Sequence, residues 1–284
     1  MSGETSDPVA EERSFRGRHG ETIRYDVFRP TGDARASVVI AHGAGEHGRR
    51  YGHVVERLVR ARFRVAVPDH LGHGRSGGKR LRVHSVSDYT RDLDRVVDEI
   101  ADDGLPTFLI GHSMGGCIAL DYALNHQDRL DGLVLSAAAV VPGDDLPAVA
   151  IKLAPLLARI APGLPTAALD SNLISRDPQV VADYAADPLV VRAKLPADMA
   201  GAMLTTMRSF PHRLPALRLP VLVMHGGDDA LTSPAGSELV DRLAGSSDKT
   251  LTIYDGLYHE IFNEPERERV LDDVIDWLEG HLPP

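Results

Sequence analysis

The sequence is short of everything that would staple, anchor or positively charge it. It has one cysteine, Cys117, in 284 residues, so no internal disulfide can form. That points to a reducing compartment, and a chain this long buries about three-quarters of its unfolded surface without a staple. Long apolar runs are missing. The longest, around Leu133 to Val141, fall short of the ~18 residues that cross a bilayer. The first residues, MSGETSDPVAEERS, lack the basic start and apolar stretch of a signal peptide, so a frayed leader on a cytoplasmic protein is expected. Excess positive charge is also lacking, with 31 basic against 41 acidic residues and a formal net charge of −10. Nucleic acid, which is bound by cationic side chains, is excluded as a partner. The one basic cluster, Lys79 to Arg82, reads as a solvated loop.

Cofactor signals are absent as well. Of the 13 histidines, His70 and His73 lie close together. Neither belongs to an H-E-x-x-H or comparable ligand spacing, so no catalytic metal is expected. The run Gly72-His73-Gly74-Arg75-Ser76-Gly77-Gly78 is glycine-rich but has neither the phosphate-loop nor the dinucleotide pattern. No cofactor is called for.

What the chain does contain is an alternation. Glu21 to Phe28 alternates polar and apolar residues, as a half-exposed strand does. Continuous apolar strands follow at Ser37–His42, Phe63–Pro68, Thr107–Gly111, Leu133–Ser136, Val221–His225 and Thr250–Tyr254. Helical patterns lie among them, around 52–62, 88–102, 115–125, 235–243 and 266–282. Continuous apolar strands interleaved with amphipathic helices specify an α/β fold with a mainly parallel sheet covered on both faces. Ligands on such sheets bind beyond the carboxyl ends of the strands. From about Val141 to Pro215 the alternation stops, and an apolar stretch, LPAVAIKLAPLLARIAPGLP, occupies Leu146 to Pro165. The expected organisation is a core of residues 1–140 and 216–284 with a helical cap inserted at 141–215.

The central chemical signal is Gly111-His112-Ser113-Met114-Gly115, a G-x-S-x-G closing a strand and opening a helix. That context puts the serine hydroxyl on a sharp, exposed turn. Alone the pattern is weak, since glycine and serine are common. Strand and helix on either side give it weight. A serine needs a base to remove its proton and an acid to orient that base. In this architecture the chain order is Ser, then Asp or Glu, then His. The strand at 221–225 runs into Gly226-Gly227-Asp228-Asp229, and the strand at 250–254 runs into Asp255-Gly256-Leu257-Tyr258-His259. Ser113 and His259 are therefore the expected nucleophile and base, while spacing leaves Asp228 and Asp229 both open as the acid. Negative charge on the attacked carbonyl needs backbone N–H donors. One is expected from Met114, the other from the loop His42-Gly43-Ala44-Gly45-Glu46-His47-Gly48. Cys117, one turn beyond Ser113, reads as a buried small hydrophobe.

The stretches HGAGEH with Arg50-Tyr51, PDHLGHGRSGG, GHSMGG, DSNLISRD, YAADPLVVR and KTLTIYDGLYHE together resemble the monoacylglycerol lipase family, from about Val38 to Phe262. The resemblance implies an α/β-hydrolase fold with a cap. It implies a triad of Ser113, Asp229 and His259, and oxyanion amides at Ala44 and Met114. It further implies a polar pocket for the glycerol head around Glu46, Arg50, His112 and Tyr184. The implied reaction is hydrolysis of a lipid substrate, a monoacylglycerol, to fatty acid and glycerol, with peripheral membrane association through the apolar cap. Two rivals share the motifs. A broader carboxylesterase, lysophospholipase or acyltransferase has the same serine turn, and a non-catalytic ligand receptor has the same fold but usually a broken triad.

Overall fold

The computed structural model describes residues 9–101, 104–142 and 148–283. Residues 1–8 of the expected leader, Asp102 at the end of an expected helix, and 143–147, where the apolar cap stretch begins, lie outside the described residues.

Eight strands form one sheet: β1 (Ala10–Arg16), β2 (Thr22–Phe28), β3 (Ala36–Ala41), β4 (Phe63–Pro68), β5 (Thr107–His112), β6 (Gly132–Ser136), β7 (Val221–Gly226) and β8 (Lys249–Tyr254). Their spatial order is β1-β2-β4-β3-β5-β6-β7-β8. β1 and β2 pair antiparallel, β2 pairs antiparallel with β4, and every later pairing is parallel. Every residue of β3 through β7 is buried, as expected for strands covered on both faces. Successive side chains point to opposite faces. Thus Val38 and Ile40 join one core and Val39 the other.

Helices supply the two covers. α1 (Gly52–Arg60) and α9 (Arg267–Gly280) close one face through Val54, Val55, Leu58, Val270, Leu271 and Val274. α2 (Val86–Ile100), α3 (Met114–His126) and α8 (Ala235–Leu243) close the other through residues such as Tyr89, Leu93, Val96, Ile118 and Val240. Between β6 and β7 the chain runs through α4 (Ala148–Ile160), α5 (Pro178–Ala186), α6 (Ala197–Met207) and the single turn α7 (Phe210–Arg213). Gly201 of α6 lies so close to α4 that an added Cβ would sit 2.8 Å from the Ala158 Cβ. The Arg82 Nε donates to Asp198 at 2.5 Å, tying α6 to the core, so part of the basic cluster at 79–82 is a structural strut as well as a loop.

One expectation needs correction. Residues 10–14, read as frayed leader, belong to β1, which is in register with β2 from Ala10↔Phe28 to Arg16↔Thr22. β1 is an edge strand and mostly exposed, so its sequence is polar. Its order comes from backbone pairing, which leaves no apolar period to read.

The strand order reverses at β3, which lies between β4 and β5. Ala41 pairs with Gly111, Ser136 lies beside both His112 and Met224, and Gly226 is beside Tyr254. The loops after β3, β5, β6, β7 and β8 therefore open side by side at the carboxyl edge. A crevice at such a switch point is where this class of sheet binds its ligands.

Candidate active site

Ser113 stands between β5 and α3 with φ 55° and ψ −119°. A non-glycine residue in that region is strained and needs its surroundings to hold it. Its N–H donates to the Ser136 carbonyl at 3.0 Å, and its own carbonyl accepts from Ala139 at 3.0 Å and Cys117 at 3.2 Å. The flanking glycines are steric requirements. An added Cβ at Gly115 would sit 2.0 Å from the Ala41 carbonyl oxygen, and one at Gly111 would sit 2.5 Å from the Gly115 oxygen. Cys117 is fully buried, and burial pushes its thiol well above its ordinary value. It is not poised as a nucleophile.

Beyond β7 and β8, two and three places along the sheet from β5, His259 Nδ1 donates to Asp229 Oδ2 at 2.7 Å. Both side chains are almost wholly buried. Asp228, the other candidate acid, is exposed, and so is Asp255. Asp229 accepts four further bonds. Leu231 N–H (2.8 Å) and Thr232 N–H (3.0 Å) donate to Oδ1, and Thr232 Oγ1 donates to Oδ2 at 2.8 Å. His225 Nε2 also meets Oδ2, at 3.0 Å. Burial pushes the Asp229 carboxyl up, but His259, His225 and the Thr232 N–H outweigh it and hold it far below the ordinary carboxylate range. For His259, burial disfavours charge, yet the Asp229 carboxylate outweighs it and raises the imidazole above its ordinary value. With Nδ1 committed to Asp229, Nε2 is the nitrogen left for chemistry. The His259 ring lies 4.7 Å from that of His112, the neighbour of Ser113.

The loop after β3 lies against the serine. An added Cβ at Gly43 would come 3.2 Å from the Ser113 Cβ and 3.3 Å from the His112 ring. His42 Nδ1 donates to the Gly43 carbonyl at 2.8 Å, and its Nε2 accepts the His70 backbone N–H at 2.9 Å. Burial keeps His42 below its ordinary value, in keeping with a neutral ring that donates at one nitrogen and accepts at the other. Because the peptide is planar and trans, pinning the Gly43 oxygen turns the Ala44 N–H the opposite way. Met114 opens α3, where first-turn N–H groups lack intrahelical partners. Among the described residues no cluster of three or more His, Cys, Asp or Glu side chains could hold a metal ion. His70 and His73 instead pack around His42, with ring centroids 4.4 Å and 5.3 Å from it.

A serine on a strained turn beside a buried His–Asp pair and a pinned glycine-rich loop is an acyl-transfer arrangement. The family profile described as "Serine aminopeptidase, S33" matches residues 32–266. A monoacylglycerol lipase of Mycolicibacterium smegmatis is 46% identical over 95% of this chain and 98% of its own length. The human monoglyceride lipase is 36% identical over 91% of this chain and 87% of its own. A crystal structure of the Paleococcus ferrophilus monoacylglycerol lipase superposes with a TM-score of 0.82 at 32% identity, covering 96% of this chain and 99% of the other. The chain belongs to the monoacylglycerol lipase family. It is a carboxylic ester hydrolase of the α/β-hydrolase fold.

The four residues that family membership suggests for a polar pocket are brought together. Arg50 Nη1 donates to Glu46 Oε2 at 2.5 Å, and its guanidinium lies 4.7 Å from the centre of the Tyr184 ring. Glu46 Oε1 accepts from the Gly43 N–H at 2.5 Å and from Tyr51 Oη at 2.7 Å. Burial pushes Glu46 up, but Arg50, His112 and His42 outweigh it and hold it at about 2. His112 Nδ1 meets Ser136 Oγ at 3.2 Å, and burial together with His259 pulls His112 down to about 3.

Several functional neighbours escaped sequence reasoning. Glu260 takes Arg50 in a two-pronged pair, and its only sequence mark is adjacency to His259. Glu264 accepts from the Tyr258 N–H at 3.0 Å and holds Arg176 Nε at 2.8 Å, fixing the loop that carries His259. His47 Nε2 donates to Asp187 Oδ2 at 2.8 Å, and the Val191 N–H donates to the Gly45 carbonyl at 2.7 Å. The Glu260 N–H donates to the Ile174 carbonyl at 2.7 Å. The segment from 171 to 191 is thereby joined to both loops of the site.

Proposed function

We propose that this chain hydrolyses monoacylglycerols to fatty acid and glycerol through an acyl-enzyme formed on Ser113. Ser113 Oγ attacks the ester carbonyl while His259 Nε2 takes its proton. Asp229 holds the imidazole in the Nδ1–H tautomer and stabilises the imidazolium. The N–H groups of Ala44 and Met114 receive the developing oxyanion. The imidazolium returns its proton to the departing glycerol, and a water activated by the same nitrogen releases the fatty acid. Glu46, Arg50, His112 and Tyr184 hold the glycerol head. A fixed ionic and aromatic cluster suits a polyol, whose hydroxyls both donate and accept.

The observation that carries this reading is the 2.7 Å bond from His259 to a buried Asp229, with the His259 ring 4.7 Å from that of His112, which directly precedes a serine with φ 55°. The insertion at 141–215 is read as a cap over the crevice, with the acyl chain beneath it. Each buried methylene contributes about 0.8 kcal/mol, which favours long chains. Within the insertion Leu153, Leu156, Leu157, Ile160, Leu164 and Leu169 are all exposed. Six exposed large apolar side chains within seventeen residues support peripheral docking on a lipid surface. Among the described residues no helix is long and apolar enough to cross a membrane. The test is Ser113→Ala assayed on a monoacylglycerol in detergent. Loss of turnover with intact folding is expected, and substantial residual hydrolysis would overturn the reading.

A further inference from the structure

The proposed triad accounts for one of two histidines on Asp229. His225 is fully buried at the end of β7, four residues before the acid. Its Nε2 lies 3.0 Å from Asp229 Oδ2 and 3.2 Å from the Thr232 carbonyl oxygen. Both are acceptors, so Nε2 must carry a proton. A bare ring nitrogen there would face two electron-rich oxygens. On the other side Nδ1 lies 2.7 Å from Ser237 Oγ, a buried hydroxyl on α8. With that hydroxyl donating to Nδ1, the neutral ring satisfies both contacts.

We infer that His225 is a positioning residue for the ester hydrolysis: it clamps the Asp229 carboxylate so that Oδ2 meets His259, and it tempers how strongly that oxygen pulls on the His259 proton. The inference rests on the reading of Ser113, Asp229 and His259 as the triad. Oδ2 is shared by His259 Nδ1 at 2.7 Å, Thr232 Oγ1 at 2.8 Å and His225 Nε2 at 3.0 Å. A carboxylate oxygen divides its electron density among its donors. Removing one donor strengthens its bond to those that remain. The same removal lets the carboxylate turn, since two backbone N–H groups hold only Oδ1. The other groups facing His259 are Glu260, Glu46 and His112, with Arg50 paired to both glutamates. None of them touches His225, whereas Thr232 Oγ1 lies 3.3 Å from both His225 Nε2 and His259 Nδ1, so a change at 225 reaches His259 through Asp229 and the Thr232 hydroxyl bound to it.

The geometry also explains why histidine serves at 225. The donor must project from the last turn of a buried strand and end in a second polar atom that meets α8. Glutamine is the conservative substitute, because its amide nitrogen reaches the position of Nε2. Leucine fills similar space without a donor.

The experiment compares full-length wild type with His225→Leu, His225→Gln and Ser237→Ala on p-nitrophenyl butyrate across pH 5 to 9. Asp229→Asn and Ser113→Ala are the controls, and thermal midpoints are recorded throughout. For His225→Leu, kcat is expected to fall by about ten- to a hundred-fold with KM unchanged. The acid limb of kcat/KM should move to higher pH, because a less-shared carboxylate holds the His259 proton more tightly. His225→Gln should restore most of kcat and return the limb toward its wild-type position. Ser237→Ala should shift the limb the same way as His225→Leu but less. If His225→Leu does not fold, the comparison of His225→Gln with Ser237→Ala still decides, because a wild-type pH profile in Ser237→Ala overturns the inference. A folded His225→Leu enzyme with the wild-type profile overturns it, as does a His225→Gln enzyme as impaired as His225→Leu. Turnover near the wild-type level in Ser113→Ala or Asp229→Asn would instead remove the triad reading itself.

Discussion

Arg50 grips Glu260 with both ends of its guanidinium, Nη1 to Oε1 at 2.7 Å and Nη2 to Oε2 at 2.8 Å. The pair joins the short 3-10 turn at 48–51, which follows the β3 loop, to the residue directly after His259. Glu46 closes on the same guanidinium, so one cation neutralises two buried carboxylates. Two loops from distant parts of the chain are locked into one frame.

That arrangement predicts a large penalty for losing the cation. Arg50→Ala leaves Glu46 and Glu260 buried without a counter-charge, which costs about 3–5 kcal/mol. Urea denaturation should show the loss, together with a raised KM for monoacylglycerol in whatever folded enzyme remains. An unchanged denaturation midpoint would contradict the ionic frame described above.

The aspartate doublet gives a sharper comparison. Asp229→Asn is expected to lower kcat on the order of ten-thousand-fold, because an amide in place of the carboxylate favours the wrong imidazole tautomer. Asp228 is exposed, so Asp228→Asn should leave kcat close to wild type. Equal losses in the two variants would mean that neither works through His259.

The pH dependence follows from the buried pair. Burial opposes charge on His259, and Asp229 overrides it, so the ring loses its proton only above its ordinary value of 6.5. The free base is the active form, hence kcat/KM should climb with pH along an acid limb whose midpoint exceeds 6.5. His112, pulled down to about 3 by burial and His259, adds no inflection near neutrality. Folding stability moves the other way. The contribution of protonated His259 is complete below 6.5 and fades as pH rises through the folded value. A limb centred clearly below 6.5 would show that Asp229 does not set the protonation of His259.

Docking through the cap is tested on α4. Leu156 is 53% exposed and Leu157 36% exposed, so acidic replacements there need not disturb a packed core. Leu156→Asp with Leu157→Asp should abolish co-flotation with phosphatidylcholine vesicles, while hydrolysis of a soluble short-chain ester persists. Flotation equal to wild type would assign the apolar face to some purpose other than lipid.

Some of this protein is written in local chemistry. Each strand from β3 to β7 was legible because strands covered on both faces must be apolar along their length, whereas β8, read as another such strand, is an edge strand with only Tyr254 buried. The serine turn was legible because Gly111 and Gly115 answer to steric limits within a few residues of Ser113. Chain order likewise pointed to loops 226–229 and 255–259 for the acid and the base. β1 was not legible, since an edge strand needs only backbone pairing and its residues stay polar. The rest belongs to tertiary structure. Asp228 and Asp229 are neighbours of identical chemistry, and only the turn after β7 makes one exposed and the other a partner of His259. Glu260 meets Arg50 across a separation of 210 residues. The roles of Glu260, Glu264 and His225 depend on distances that no local pattern encodes. An ionic or hydrogen-bonded partner is defined by a few ångströms of space, and only the sheet together with the turns that follow its strands supplies that.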